Sequence, residues 1–553
     1  MPFFLWLHLY DPHSPYRPPE PYASKYPGRP YDGEIAFADA QVGRVLARIK
    51  ELRLYDQTAI ILLSDHGESL GEHGEDEHGF FIYNATLRVP LIVKLPNASY
   101  GSRDTTQGST GTRGKALGLS VIDSPVGAVD VAPTIAALCS MPAAETRTFQ
   151  GRSLLPLLTG SAGSAPADVA PASSRPESRQ DGGATVLVYA ESYYPRDSFG
   201  WHPLRAVVSS RYKYIEAPRP ELYDLEHDPS ERANLAGNQA SIAAALRERL
   251  RTFEKRYSGP EASATAQLDS ETVERLRSLG YVSFTAPAPS TTDSQLADPK
   301  DKIGTLRRIL RASDLRRWGR YSEAEQMLTE LEAVEPKLYV VPYERGENFL
   351  AWSKPKSAIE ELGKALSLNP AFDQAALALG RAHFLLGEDA QAATAIELGL
   401  HFNPRNYLAR LALALVYERE NLPAQAAPEF AQALDLHAEN IEARAAYAII
   451  LAKLGKYHDA LPQFERARAA HYRKPVFFNY LGITYAQLGE TAKAIAAYEQ
   501  AVTLDPDYAV AYLNLALQYR KQNQPEKARS YYQKTCELNQ ALCRQYAGQF
   551  GAQ

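Results

Sequence analysis

Cysteine is almost absent from this sequence: Cys139, Cys536 and Cys543 are the only three in 553 residues. None stands in a CxxC pair, so the spacing implies neither a zinc site nor a disulfide framework. Long apolar runs are missing as well. No stretch approaches the roughly 20 residues needed to cross a bilayer, and the sequence predicts no membrane span. The opening "MPFFLWL" has no basic flank and no small-residue cleavage site, so it does not read as a signal peptide. It reads as a buried strand. A strong charge of one sign is lacking too: 60 Lys and Arg against 65 Asp and Glu leave a net charge of -5. That balance argues against a nucleic-acid binder driven by bulk charge.

What is present is enough apolar residue for several cores, 45% of a chain too long for one. Three polar segments interrupt it: Ala98–Gly118, Ser161–Gly183 and the Pro/Ser/Thr-rich stretch from Phe284. Only the last separates two different patterns, which gives domains at 1–283 and 303–553 with a linker at 284–302. Before the linker, apolar strand-like runs ("FFLWLHL", "TAIILL", "VPLIVKL") alternate with helical spacing from Asp32 to Leu52 and with "VDVAPTIAAL". "LRAVVSSRYKYIE" reads as a hairpin. This alternation predicts an α/β fold, a mixed or parallel sheet with flanking helices.

After the linker the chain repeats. Pro336, Pro370, Pro404 and Pro506 lie on one 34-residue grid. Twelve residues before every grid point stands an alanine: Ala324, Ala358, Ala392, Ala426, Ala460, Ala494 and Ala528. Gly346, Gly380 and Gly482 share a further register position with Ala414, Ala448 and Ala516. Small residues at fixed intervals let paired helices approach, and the proline ends the second helix of each pair. The pattern resembles the tetratricopeptide repeat over residues 303–540, seven repeats plus a C-terminal cap in an all-α solenoid. The resemblance implies a groove for a protein or peptide partner.

The chemistry concentrates in "SDHGESLGEHGEDEHG", Ser64–Gly79, directly after "AIILL". Asp65 and His66 follow an apolar strand, where open α/β sheets gather functional groups. Carboxylate and imidazole both suit a divalent cation, and Gly67 would let the chain turn so that both face one ion. A solvated acidic loop is the alternative. "WLHLYDPHSPY" places His8, Asp11 and His13 after another apolar run, so two strand ends bearing His and Asp point to one site. His8 reads as a core residue, and His73, Glu72, Glu75, Asp76 and Glu77 as loop surface.

Taken in order, "FFLWLHLYDPHSPY", "YDGEIAFADAQVGRVL", "TAIILLSDHGESLGEHG", "HGFFIYNATLRVPLIV", "VDVAPTIAAL", "GRSLLPLL" and "ELYDLEHDPSERANLA" resemble successive motifs of the sulfatase family of the alkaline-phosphatase superfamily. The resemblance implies a metal-dependent hydrolase of sulfate esters on small molecules or glycans. Asp65 and His66 match the family's paired metal ligands. His13 matches a histidine that contacts the sulfate or the leaving group, and His78 a residue that binds the ester. The implied cofactor is a divalent metal ion, calcium first, with manganese or zinc as alternatives. Phosphodiester or phosphonate ester hydrolases and phosphoethanolamine-type transferases are the neighbouring activities. A binding module whose hydrolase domain is vestigial is the other reading.

The family's nucleophile, a formylglycine or serine in C-x-P-S-R or S-x-P-S-R, has no counterpart here, nor has the aspartate pair that would complete the metal site. The expectation is therefore a chain that is the later part of a longer protein, inactive as a hydrolase by itself and poorly stable in its first domain. A full-length relative would be exported. Tyr193, Tyr194, Phe199 and Trp201 fit either a substrate pocket or a core.

Overall fold

The computed structural model describes residues 3–14, 16–96, 120–142, 144–159, 187–257 and 293–550. The polar segments Ala98–Gly118 and Ser161–Gly183, and the start of the linker, lie outside the described residues. The chain divides into two units, one of Met1–Arg196, Trp201–Gly259 and Thr291–Gly304, the other of Asp197–Gly200, Pro260–Ser290 and Thr305–Gln553.

In the first unit the expected helix runs from Pro30 to Glu51, with proline at its first turn and Lys50 and Arg48 in its last. Strands β1 (Ile60–Leu63) and β2 (Leu91–Lys94) pair antiparallel, Ile60 opposite Lys94. Strands β3 (Val188–Ser192), β4 (Leu204–Val208), β5 (Tyr212–Glu216) and β6 (Glu221–Asp224) form a four-stranded antiparallel meander, and β4–β5 is the expected hairpin. The helix Ala240–Tyr257 lays Ala243, Leu246 and Leu250 on Val207, Tyr214 and Leu222 of that sheet. Behind the sheet the buried Lys213 ammonium is neutralised by Glu231 at 2.7 Å. A buried charge without such a partner would cost several kcal/mol.

Two expectations for this unit fail. "FFLWLHL" forms no strand, and Phe3, Phe4, Leu5, Trp6 and Leu7 are 50–79% exposed. β1 and β2 are half-buried rather than covered on both faces, with Ile92 58% exposed. Both runs are apolar enough for a sheet interior, but among the described residues no strand pairs with Phe3–Leu7 and none flanks β1–β2. His8 is exposed as well, not in a core.

Among the described residues seven helix pairs follow, from Pro299–Arg317, which belongs to the second unit from Thr305 on, and Tyr321–Val334 to Ala509–Lys521 and Pro525–Leu538; Gln540–Phe550 comes last. The grid explains the packing. The seven alanines are 0–2% exposed. Each glycine of the second register faces a large side chain sixteen residues on: a Cβ on Gly346 would meet Leu362 at 2.6 Å, on Gly380 Ile396 at 2.4 Å and on Gly482 Tyr498 at 2.5 Å. Tyr417 bonds Glu397 and Tyr519 bonds Glu499, and Tyr485 bonds Glu465 at the same offset of twenty residues. These hydrogen bonds tie the first helix of one pair to the second helix of the pair before.

The cysteines depart from expectation. Cys536 and Cys543 form a disulfide across the turn at Asn539, whose side chain accepts from the Ala541 and Leu542 N–H groups and starts the last helix. A seven-residue separation is uninformative in sequence; the bond arises because two helices meet at one capped residue.

Gly482→Ala should destabilise the solenoid by about 1–3 kcal/mol, because the Tyr498 ring is 2% exposed and cannot move aside. Gly363→Ala should stabilise by about 0.5–1 kcal/mol, because nothing lies within 4 Å of its Cβ position and helix propensity alone decides. Thermal unfolding of the two variants checks the opposite signs.

Candidate active site

The loop from Ser64 to Thr86 is built on one close contact. The Gly67 N–H donates to the Thr86 carbonyl at 2.7 Å, and a Cβ on Gly67 would lie 2.2 Å from the Ala85 carbonyl oxygen. Gly67 does not have a positive φ, so its role is close approach and not the sharp turn that the sequence suggested. Inside the loop, Ser69 N–H bonds Glu77 O and Gly71 N–H bonds Glu75 O, both at 2.9 Å.

The loop's far end is anchored in the core. Phe80, Phe81, Ile82 and Tyr83 are 1–6% exposed. The Tyr83 hydroxyl donates to Glu221 at 2.9 Å, the Asn84 N–H to Glu231 at 2.5 Å, and the Ser192 hydroxyl to Gly79 O at 2.7 Å. Tyr194 and Trp201 pack edge-on against Phe80; Trp201 is in the core and Tyr194 is half-buried. Glu75 is buried and accepts the Phe80 and Phe81 N–H groups at 2.8 and 3.2 Å.

This frame brings three expected site residues together. The His66 and His78 rings stack with centroids 3.7 Å apart, and His13 meets His78 edge-on at 5.4 Å. Tyr10 stacks on His13 with ring centroids 4.6 Å apart. The segment bearing His13 is fixed by Glu34 of the helix Pro30–Glu51, which accepts the His13 N–H at 3.1 Å and also the Arg17 N–H. It is tied to the acidic loop by the Ser14 hydroxyl, which donates to Glu77 at 2.8 Å.

Hydrogen bonds assign the ring tautomers. His66 Nδ1 lies 2.8 Å from the Gly67 carbonyl and His13 Nδ1 2.7 Å from the Ser14 carbonyl. A carbonyl only accepts, so in a neutral His66 ring Nδ1 carries the proton and the lone pair sits on Nε2; His13 Nδ1 also lies 3.0 Å from the Tyr10 hydroxyl, which can donate or accept. His78 differs: its Nδ1 lies 3.0 Å from Glu68, and both side chains are nearly inaccessible, 6% and 3% exposed. Burial alone would lower the His78 pKa, but the Glu68 bond and the charges of Glu68, Glu77 and Glu75 outweigh it and raise it. Burial and Glu68 push the Tyr16 phenol up as well.

Asp65 is placed differently, with its side chain 74% exposed. One oxygen accepts the His66 N–H at 3.1 Å and lies 3.8 Å from His66 Nε2. That pair suits two corners of a cation site, since the lone-pair nitrogen and the carboxylate oxygen are close enough to share an ion. Among the described residues, however, the one group of three His, Cys, Asp or Glu donors within 4.8 Å is Asp224, Glu226 and His227, which contains neither Asp65 nor His66. Catalytic metal sites supply three or more protein ligands. The described residues fit part of a metal site and do not complete it.

Four participants escaped the sequence reading: Glu34, Glu68, Ser14 and Glu77. Each acts through a partner ten to 63 residues away, and no local pattern marks it. The surface reading holds for the exposed Glu72, Asp76 and Glu77. It fails for the buried Glu75 and for His73, which stacks on Tyr83 at 3.6 Å.

Residues 1–141 match the sulfatase family model, and residues 343–406, 446–509 and 497–530 match tetratricopeptide-repeat models. The chain joins a sulfatase-family region to tetratricopeptide repeats. It is 31% identical over 215 residues to a choline-sulfatase of Rhizobium meliloti, an alignment covering 38% of this chain and 33% of the relative. It is 31% identical to the multifunctional alkaline phosphatase superfamily protein PehA of Trinickia caryophylli, covering 38% and 37%. A steryl-sulfatase of Mus musculus matches at 31%, covering 29% and 25%. The chain spans about a third of the length of the first two relatives. Among solved structures, the tetratricopeptide-repeat protein YrrB is 22% identical with a TM-score of 0.32, covering 35% of this chain and 97% of that one. All four expected site residues, His13, Asp65, His66 and His78, fall within the stretch matched to the sulfatase family.

Inside the sulfatase region Glu75 gives a pH test. Burial pushes its carboxyl from the ordinary 4.5 to about 7, against the two N–H bonds it accepts. The folded protein therefore holds this proton more tightly than the unfolded chain does. The stability it contributes is full below about pH 4.5 and is lost as pH rises through about 7, a change on the order of 3 kcal/mol. Glu75→Gln keeps an oxygen for the Phe80 and Phe81 N–H groups and removes the titration. The thermal midpoint of the variant should fall less between pH 5 and pH 8 than that of the parent; parallel curves would contradict the assignment.

Proposed function

We propose that the sulfatase region is the anion-binding part of a metal-dependent sulfate-ester hydrolase, and that the repeats recruit a protein partner to it. The observation that carries this reading is the clustering of His13, His66 and His78, three imidazoles from two separate segments of the chain. A sulfate ester is anionic, and positioned imidazole N–H groups stabilise charge on the transferred group. His78, oriented by Glu68, is the ester-binding ring. His13, held by Glu34 and Tyr10, is the ring that contacts the leaving-group side and can protonate the departing alcohol. Asp65 and His66 would hold a divalent cation, calcium, manganese or zinc, together with ligands beyond the described residues. A cation there would supply Lewis-acid stabilisation of the sulfate oxygens. Residues 1–283 form the hydrolase-family domain in this reading, 284–302 the linker and 303–553 the repeat domain.

The sequence contains no C-x-P-S-R or S-x-P-S-R nucleophile motif, so this chain alone should bind the anion without turning an ester over. PehA is named as a multifunctional member of the alkaline phosphatase superfamily, which is compatible with a second reading: a phosphodiester or phosphonate ester hydrolase, or a phosphoethanolamine-type transferase, on the same histidines. The nucleophile would separate a sulfatase from a phosphoethanolamine-type transferase: a formylglycine or serine for sulfate esters, a threonine for many of the transferases.

Calorimetric titration with sodium tungstate, a tetrahedral oxyanion, should show binding that weakens at least tenfold in His78→Ala and in His13→Ala, with circular dichroism unchanged. No hydrolysis of 4-nitrophenyl sulfate should be detectable. Turnover that Asp65→Ala abolishes would overturn the inactivity, and tungstate affinity indifferent to both histidines would overturn the site.

A further inference from the structure

One register position of the solenoid loses its ring once. In the first helices from Val340–Ala351 on, the residue three after the small one is Phe349, His383, Tyr417, Leu451, Tyr485 and Tyr519. All but Leu451 carry a ring. The partner position, twenty residues back on the second helix of the preceding pair, changes with it. Glu397, Glu465 and Glu499 accept the hydroxyls of Tyr417, Tyr485 and Tyr519. Ala431 takes that place opposite Leu451. An interface with both side chains cut short thus lies between two that a tyrosine–glutamate bond closes.

The shortfall leaves a cavity. Ala424, Pro428 and Ala431 of the helix Pro423–Leu436 and Tyr447 and Leu451 of the helix Ile441–Lys453 line a space of about 400 Å³. Small-molecule sites occupy roughly 300–1,000 Å³. In the neighbouring interfaces a phenol spans from one register position to the other, so a tyrosine at 451 would cross this cavity toward residue 431. The absent shape is an aromatic ring. Charge around the cavity is uneven. Burial, with the charges of Asp459 and Asp435, raises the Tyr447 phenol, which stays neutral, and those carboxylates disfavour an anion beside it. Lys456, past the far end of the same helix, also lines the cavity and makes no ion pair among the described residues. Two other pairs hold Glu388 and Glu490 at its register position; here the charge favours an anion.

Going beyond a partner role for the repeats, we propose that this cavity binds a small aromatic anion, its ring in the space of the absent tyrosine and its charged substituent at Lys456. The site lies in the interface between two helix pairs and not on an exposed helix face. Apolar walls with one placed charge are the usual make-up of a small-molecule pocket: the walls hold the ring and the charge fixes its orientation. The proposal is independent of the hydrolase chemistry.

Calorimetric titration of the full chain with 2-naphthalenesulfonate tests it. Two controls should bind severalfold more weakly: hexanesulfonate, which lacks the ring, and 2-naphthol, which lacks the charge. The decisive variant combines Ala431→Glu with Leu451→Tyr and so restores the pair of the neighbouring interfaces. It should lower the affinity for 2-naphthalenesulfonate at least tenfold, with the thermal midpoint unchanged or raised. Leu451→Phe is the milder filler if the double variant unfolds. Lys456→Glu should weaken 2-naphthalenesulfonate severalfold and leave 2-naphthol unchanged. Lys354→Glu, the same charge change at the same register position of an earlier pair, should leave both unchanged. Absence of binding, equal binding of either control, affinity retained in the filled variants, or equal loss in Lys354→Glu would overturn the proposal. Tungstate affinity, measured in the same variants, reports the histidine cluster separately.

Discussion

The histidine cluster depends on one backbone contact. Gly67 N–H meets the Thr86 carbonyl with no space for a side chain on Gly67, and this closes a loop of nearly twenty residues that carries seven charged groups or imidazoles. With the loop closed, His66 comes to lie on His78, ten residues away in sequence is Glu68 beneath it, and Phe80–Tyr83 drop into the core. Without it the same residues would be a solvated acidic loop, which is the other reading the sequence allowed. A hydrogen bond contributes only about 1 kcal/mol net, so the contact sets geometry more than stability. The stabilising burial comes from Phe80, Phe81 and Ile82, and the buried ion pair Lys213–Glu231 seats the end of the loop.

The two units are built on different logics. In the solenoid every important contact is near in sequence: a small residue faces a large one sixteen residues on, and a tyrosine reaches a glutamate twenty residues back. Each pair contacts its neighbours, and the stability of such an array is close to a sum of local terms. The sulfatase region relies on contacts of long range, such as Tyr83 with Glu221 and Ser14 with Glu77. Among the described residues its apolar segment Phe3–Leu7 is largely exposed.

That difference explains what could be read in advance. The 34-residue grid announced the repeats because periodic packing leaves a periodic record, and all seven grid alanines are buried. His13, Asp65, His66 and His78 stood out through their place at the ends of apolar runs, and the three histidines do meet. Glu34, Glu68 and Glu75 were not legible, because a buried carboxylate is spelled like an exposed one and only its partner distinguishes them. Gly67 was noticed for the wrong reason: a glycine needed for close approach looks identical to one needed for a turn. The disulfide was missed because two cysteines seven apart say nothing until a helix break at Asn539 brings them together. The expected strand at Phe3–Leu7 was inferred from apolarity, and apolarity does not provide a strand to pair with.

The central claim is that His13, His66 and His78 form one cluster, with His66 protonated on Nδ1 when neutral and His78 oriented by Glu68. Nuclear magnetic resonance of the full chain, labelled with ¹⁵N and ¹³C in histidine only, tests it most directly. Ring-to-ring Overhauser effects between His66 and His78 and between His13 and His78, with the nitrogen shifts of an Nδ1-protonated ring for His66 above pH 8, are the predicted result. Rings without mutual effects and with averaged tautomer shifts would show an open loop and contradict the account.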